Sequence, residues 1–196
     1  MIIGITGSIA TGKSTVTKYL SEKGYKIIDS DKIVHKLLST SSVLSEISLA
    51  FGRDLIVDGV LVRKLLAKMI FDDEEKRKLL NSIIHPRVIS EIKEETNNYK
   101  GVKDNLIFVD IPLLYEEKLE YLVDKIIVVY APKNIQLERL MARDGIDLDY
   151  ANKKINASMD IELKKEKADY IIDNSKDVDS TYKQVDEVLR RILNEI

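Results

Sequence analysis

Between residues 7 and 14 the chain reads Gly7-Ser8-Ile9-Ala10-Thr11-Gly12-Lys13-Ser14, a G-x-x-x-x-G-K-S run. An apolar burst over 2–6 precedes it and a helix-forming stretch over 13–23 follows it. Glycines at both ends let the backbone curl so that successive N–H groups face one anionic centre. The helix that follows adds its positive end. A lysine placed like Lys13 reaches the β- and γ-phosphates of a nucleotide, and a hydroxyl placed like that of Ser14 ligates Mg²⁺. The same letters also fit a glycine-rich turn with an exposed lysine, but strand, loop and helix in register favour a phosphate cradle. No G-x-G-x-x-G occupies this first turn, which argues against a dinucleotide oxidoreductase.

Short bursts rich in Ile and Val recur at 2–5, 26–28, 106–109, 125–130 and 168–172. Such runs suit strands of a parallel sheet buried on both faces. Helical stretches lie between them at 13–23, 132–143 and 178–196; in the last, Val178, Tyr182, Val185, Val188, Leu189 and Ile192 recur at helical spacing. The alternation predicts an α/β fold with right-handed crossovers. Two segments exceed simple crossovers. Residues 31–100 read as several helices, among them 31–38, 61–71, 73–84 and 86–97, and residues 140–166 form a second helical excursion dense in charge. The expected organisation is a three-layer P-loop NTPase fold around a five-stranded parallel sheet. Its core comprises 1–30, 101–138 and 168–196, with a helical acceptor-binding insertion at 31–100 and a helical lid at 139–167.

Composition narrows the chemistry further. At 196 residues, 44% of them hydrophobic, the chain can bury a core without covalent staples. Its 31 basic and 33 acidic residues nearly cancel, so an anion site must be local, and no basic face for nucleic acid is expected. Absence of cysteine excludes thiol catalysis and disulfides, and two histidines, His35 and His85, cannot build a multi-histidine metal cage. The opening MIIGITGSIATGK lacks a basic leader followed by a long apolar run, and a cytoplasmic protein with no membrane partner is expected.

A P-loop serves motors, switches and kinases alike, so the acceptor must be read elsewhere. A GTPase switch would want Asp-x-x-Gly after the third strand, where the chain has Asp110-Ile111-Pro112-Leu113. The second strand runs into Asp29-Ser30-Asp31. Parallel strands present their C-terminal ends on one rim, so both carboxylates are expected to point toward the transferring phosphate. One of them would accept a proton from an attacking hydroxyl; either could instead cap the helix that follows. Asp110 is expected near Mg²⁺ with Ser14, or else as a strand-end turn residue. Arg139 and Arg143 stand four apart on one helix face, where both could fork onto one polyphosphate before Asp144-Gly145 breaks the helix. His85 precedes Pro86, which suits a helix start. Lys164-Lys165-Glu166-Lys167 reads as a solvated helix end, and Leu113 and Leu114 fit acceptor-site walls and plain core equally.

These residues together resemble the dephospho-CoA kinase family from end to end. The resemblance is carried by GITGSIATGKST, Ile28-Asp29-Ser30-Asp31, Leu61-Val62-Arg63 with Phe71, His85-Pro86 and Asp110-Ile111-Pro112-Leu113-Leu114-Tyr115-Glu116. Arg139, Arg143-Asp144-Gly145 and Ala168-Asp169-Tyr170-Ile171-Ile172-Asp173-Asn174 complete it. It implies transfer of the γ-phosphoryl of ATP to the ribose 3′-hydroxyl of dephospho-CoA, with Mg²⁺, by a monomer or weak homo-oligomer. Asp31 becomes the catalytic base, aided by Lys13 and Arg139. ATP would contact Ala10, Thr11, Gly12, Lys13, Ser14, Thr15, Arg139, Arg143 and Asn174; the acceptor would contact Asp29, Asp31, Arg63, His85, Leu113 and Leu114; and Ser14 and Asp110 would hold the metal. A related P-loop kinase for a nucleoside or nucleotide is the alternative. The chain departs from the family in the lid, where Lys154 and Ser158 replace a common arginine and glutamine.

Overall fold

The computed structural model describes residues 1–71, 73–98 and 103–196. The elements run β1 (Ile2–Gly7), α1 (Lys13–Glu22), β2 (Lys26–Asp29), α2 (Ser30–Leu37), α3 (Ser41–Phe51), β3 (Ile56–Val57), β4 (Val60–Leu61), α4 (Arg63–Phe71) and α5 (Glu74–Asn98). They continue with β5 (Ile107–Asp110), β6 (Lys125–Tyr130), α6 (Lys133–Asp144), α7 (Leu148–Asn156), α8 (Ile161–Glu166), β7 (Tyr170–Asp173) and α9 (Val178–Leu193). The chain divides into two compact units, Met1–Ile28 with Asn98–Ile196, and Asp29–Asn97. The boundary expected at 100/101 lies outside the described residues.

The larger unit is built on a five-stranded sheet in the order β2-β5-β1-β6-β7 among the described residues. β1 pairs in parallel with β5 on one side and β6 on the other, and β6 pairs in parallel with β7. The α/β parallel-sheet class expected from the Ile- and Val-rich bursts is therefore observed. Alternate residues of each strand face one layer: Ile3 and Ile5, Phe108, Ile127 and Val129, Tyr170 and Ile172 form one buried cluster with Val16 and Leu20 of α1 and Val185, Val188, Leu189 and Ile192 of α9. α1 and α9 lie side by side over it, with Tyr19 and Tyr182 stacked at 3.9 Å between ring centres. The opposite face buries Ile107, Val109, Ile126 and Val128. There Gly4 gives Leu114 room, because a Cβ on it would lie 2.9 Å from the Leu114 side chain. Burial on both faces explains why these strands lack the polar alternation of a half-exposed sheet.

The smaller unit holds α2 to α5 and the β3–β4 hairpin, which the sequence reading did not separate from its helices. The stretch expected as a helix from 61 begins at Arg63, since Leu61 pairs with Ile56 across the hairpin. The break expected between 84 and 86 is absent. α5 runs through with Pro86 inside it. A proline there removes one helical N–H and crowds the preceding turn. In the same turn the Arg87 guanidinium donates to the Ile83 carbonyl at 2.6 Å while pairing with Glu46 of α3. Arg87 thus ties the turn around Pro86 to α3.

Phe108 is fully buried on β5, beside the central strand β1. Phe108→Ala is expected to destabilise the fold by about 3–5 kcal/mol, read as a lowered urea midpoint.

Candidate active site

The run that opened the sequence forms a tight loop between β1 and α1. Ala10 and Gly12 both take left-handed backbone, with φ of 61° and 85°. That conformation is costly for alanine and free for glycine. The loop closes on itself through Thr11, whose N–H and hydroxyl both donate to the Ser8 carbonyl, at 3.3 and 2.9 Å. Asn174, just past β7, braces it from outside. Its side-chain amide donates to the Thr11 carbonyl at 2.8 Å, and its oxygen accepts from the Thr181 hydroxyl at 2.7 Å. Both side chains are buried. A Cβ on Gly12 would fall 1.9 Å from the Asn174 nitrogen, so any side chain there collides.

Lys13 opens α1, and its ammonium pairs with the Asp110 carboxylate at the end of β5. Ser14 beside it is exposed. Arg139 of α6 donates to the Asn174 backbone carbonyl at 2.8 Å, and its other terminal nitrogen is buried without a partner. That nitrogen is 3.8 Å from the Cβ position of Gly12. Buried donors without acceptors are rare, and a guanidinium turned toward a loop of this shape suits an anion. Curled loop, helix start, lysine and the guanidinium with its one unpaired nitrogen all belong to the larger unit.

Arg143 lies one turn beyond Arg139, but its guanidinium chelates neighbouring Asp144 at 2.7 and 3.3 Å. Lys154 reaches the same carboxylate at 2.8 Å, and the two cations hold the Asp144 carboxyl far below the usual carboxylate range. Gly145 then ends α6 in left-handed backbone. Of the two arginines expected on one polyphosphate, only Arg139 is seated beside the loop. Residues 139–167 belong to the larger unit.

In the smaller unit, capping falls to Asp29, which accepts from the Lys32 N–H at 3.1 Å and so starts α2 at Ser30, one residue before the expected helix. Asp31 is exposed and free of that duty. An open cavity along α2 is lined by Asp31, Lys32, His35, Lys36 and Ser39. Arg63, the first residue of α4, donates to the His35 carbonyl at 3.3 Å. His85 lies half-buried within α5 rather than before a helix start.

The family model for dephospho-CoA kinase matches residues 1–180 of the chain. The chain belongs to the dephospho-CoA kinase family. A dephospho-CoA kinase from Listeria innocua is 41% identical over 98% of the chain and 97% of its own length. Among solved structures, a protein from Thermus thermophilus superposes with a TM-score of 0.84 at 31% identity, covering all of this chain and 97% of that one. Dephospho-CoA kinase from Campylobacter jejuni superposes at 0.72 with 32% identity, covering 99% and 98%.

Other parts of the dephospho-CoA kinase signature fall in the core. Leu114 is fully buried over Gly4, whereas Leu113 stays half exposed. The run 164–167 is not a solvated helix end throughout, since Lys164 is fully buried. It shares the inner face of α8 with Ile161, three residues earlier, a spacing that could have revealed it. The support role of Asn174 left no comparable trace, because the Thr11 carbonyl it serves is distant in sequence.

Gly12→Ala is expected to abolish nucleotide binding, since strained backbone and the Asn174 collision coincide. Titration with a fluorescent ATP analogue checks this, with Gly24→Ala, a left-handed glycine remote from the loop, as the control that retains binding.

Proposed function

We propose that the chain transfers the γ-phosphoryl group of ATP to the ribose 3′-hydroxyl of dephospho-CoA, yielding coenzyme A and ADP. The observation that carries this reading is membership of the dephospho-CoA kinase family along residues 1–180, joined to a phosphate-type loop braced for an anion. Loop amides from Ala10 to Thr15 would bind the triphosphate, and Lys13 would exchange Asp110 for phosphate oxygens. Arg139 would place its unpaired nitrogen on the charge that spreads over the equatorial oxygens during transfer. Arg143, released from Asp144, would join it as 139–167 closes like a lid, excluding water that competes with the acceptor.

Asp31 would accept the proton of the 3′-hydroxyl and orient it for in-line attack. Support comes from the capping geometry: Asp29 is committed to the start of α2, which leaves Asp31 as the uncommitted carboxylate of the pair. Asp29 then acts as a support for Asp31. Residues 31–100 would receive the acceptor, with Arg63 addressing its phosphates, His85 its polar edge and Leu113 its apolar part; Leu114 would shape that wall from the core.

Ser14 and Asp110 suit Mg²⁺, since both offer hard oxygen. Among the described residues no group of three or more acidic or histidine side chains gathers, so the remaining ligands would be phosphate oxygens and water. The ion would supply charge neutralisation for the nucleotide. No helix among the described residues is long and apolar enough to cross a membrane. We read the enzyme as cytoplasmic, acting as a monomer or weak homo-oligomer.

The test is transfer from labelled ATP to dephospho-CoA beside a panel of nucleosides and nucleotides. Strong labelling of a nucleoside with none of dephospho-CoA would overturn the acceptor. Asp31→Asn is expected to lower kcat by about 10²–10⁴-fold while ATP binding persists; unchanged turnover would remove Asp31 as the base.

A further inference from the structure

Strand β5 leaves the sheet at Pro112, and this opens a gap in the ladder beside the phosphate loop. The last bond between the two strands runs from the Ile111 N–H to the Ile5 carbonyl at 3.0 Å. Parallel pairing would next join the N–H of residue 113 to the Gly7 carbonyl, but the chain has already turned away. The ammonium of Lys164, from α8, stands in that gap. Its Nζ lies 3.5 Å from the Gly7 carbonyl, 3.0 Å from the Pro112 carbonyl and 2.9 Å from Glu116 Oε1. An ammonium has three protons, and it meets three acceptors.

The pair is expensive where it sits. Lys164 is fully buried, and one Glu116 oxygen is buried without a partner. Burial pushes the Lys164 pKa down from its ordinary value, Glu116 opposes that, and the nearby charge of Lys13 pushes the same way as burial. Well-packed apolar residues often replace a buried ion pair without loss of stability, so packing alone gives little reason for a lysine here. The contacts point to the loop instead. The Thr6 hydroxyl also donates to the Pro112 carbonyl, at 3.0 Å. Glu116 Oε1 accepts in addition from the Met159 N–H at 3.0 Å, and the Met159 carbonyl accepts from the Ser8 hydroxyl at 3.3 Å. One network thus binds the start of the phosphate loop, the segment just after Asp110, and the connection into α8.

We propose that Lys164, held by Glu116, is a positioning residue for phosphoryl transfer: it locks the Gly7 and Pro112 carbonyls together and so keeps the phosphate loop in register with Asp110. The proposal rests on the transfer reaction proposed above. Lys164 acts through Gly7 and Pro112, whose neighbours along the chain meet the reacting groups. A register error at the reacting centre weakens the transition state more than the ground state, because loop amides still hold the nucleotide.

Lys164→Met and Glu116→Gln test this, with kcat, KM for ATP and thermal midpoint measured for each and activity expressed per folded molecule. Lys164→Met is expected to lower kcat and kcat/KM together by about tenfold or more, with KM for ATP within about threefold. Glu116→Gln keeps shape and an acceptor but removes the counter-charge; it is expected to lower kcat by about fivefold with the same unchanged KM. A purely structural pair would lower the thermal midpoint and leave kcat per folded molecule within twofold, and that result overturns the proposal. Should Lys164→Met fail to fold, Glu116→Gln decides by the same criterion. ATP hydrolysis without acceptor is read in the same samples. If the unaltered protein transfers nothing to dephospho-CoA, the acceptor assignment falls, while the hydrolysis ratios still judge Lys164.

Discussion

The close approach of the Asn174 amide to the backbone at Gly12 is the contact on which the site depends. The amide can reach the Thr11 carbonyl only because residue 12 carries no side chain and accepts left-handed backbone. Thr181 in turn fixes the amide by donating to its oxygen. A buried carbonyl left without a donor costs about 1–3 kcal/mol, so the chain of hydrogen bonds from α9 through Asn174 supports the loop's curve beside its own Thr11–Ser8 bonds. Arg139 rests on the same residue through its backbone carbonyl. One position just beyond the last strand thus links loop shape to guanidinium placement.

Polar groups concentrate where the sheet runs out. Along their length the strands are apolar on both faces, and their backbone groups are satisfied by the ladder. At the ends of β1 and β5 the ladder stops, and side chains replace it: the Thr6 hydroxyl, the Lys164 ammonium and the Asn174 amide all serve backbone carbonyls there. Backbone groups freed where a ladder stops must be satisfied by such means. The same logic operates in α5, where the Arg87 side chain serves a carbonyl in the turn that Pro86 disturbs.

Local chemistry was readable in proportion to how local its cause is. The loop at 7–14, the Ile- and Val-rich strands and the amphipathic α9 each follow from neighbours within a few residues, and each formed close to its expected bounds. Asp29 and Asp31 could not be told apart by their spacing. Which one caps α2 depends on where the strand stops, and that is decided by its pairing in the sheet. Pro86 misled because a proline's local preference is to start a helix, while the Arg87–Glu46 contact that ties this turn of α5 to α3 spans 41 residues. Lys164 misled because its charged neighbours outweighed the one local sign of burial, its i,i+3 spacing from Ile161, and the acceptors it meets at Gly7 and Pro112 are distant in sequence.

By itself the sequence determined that a strand, a phosphate-type loop and a helix follow one another, that the sheet is parallel, and that the chain resembles one kinase family. Those properties rest on backbone preference and hydrophobic period, which act over short distances. Tertiary structure alone decided which polar side chains became supports. Asn174 reaches Thr11, Lys164 reaches Gly7 and Pro112, and Arg143 turns to Asp144 rather than standing with Arg139. A buried polar group must find a partner wherever the fold offers one, and that place is fixed only when distant strands have paired.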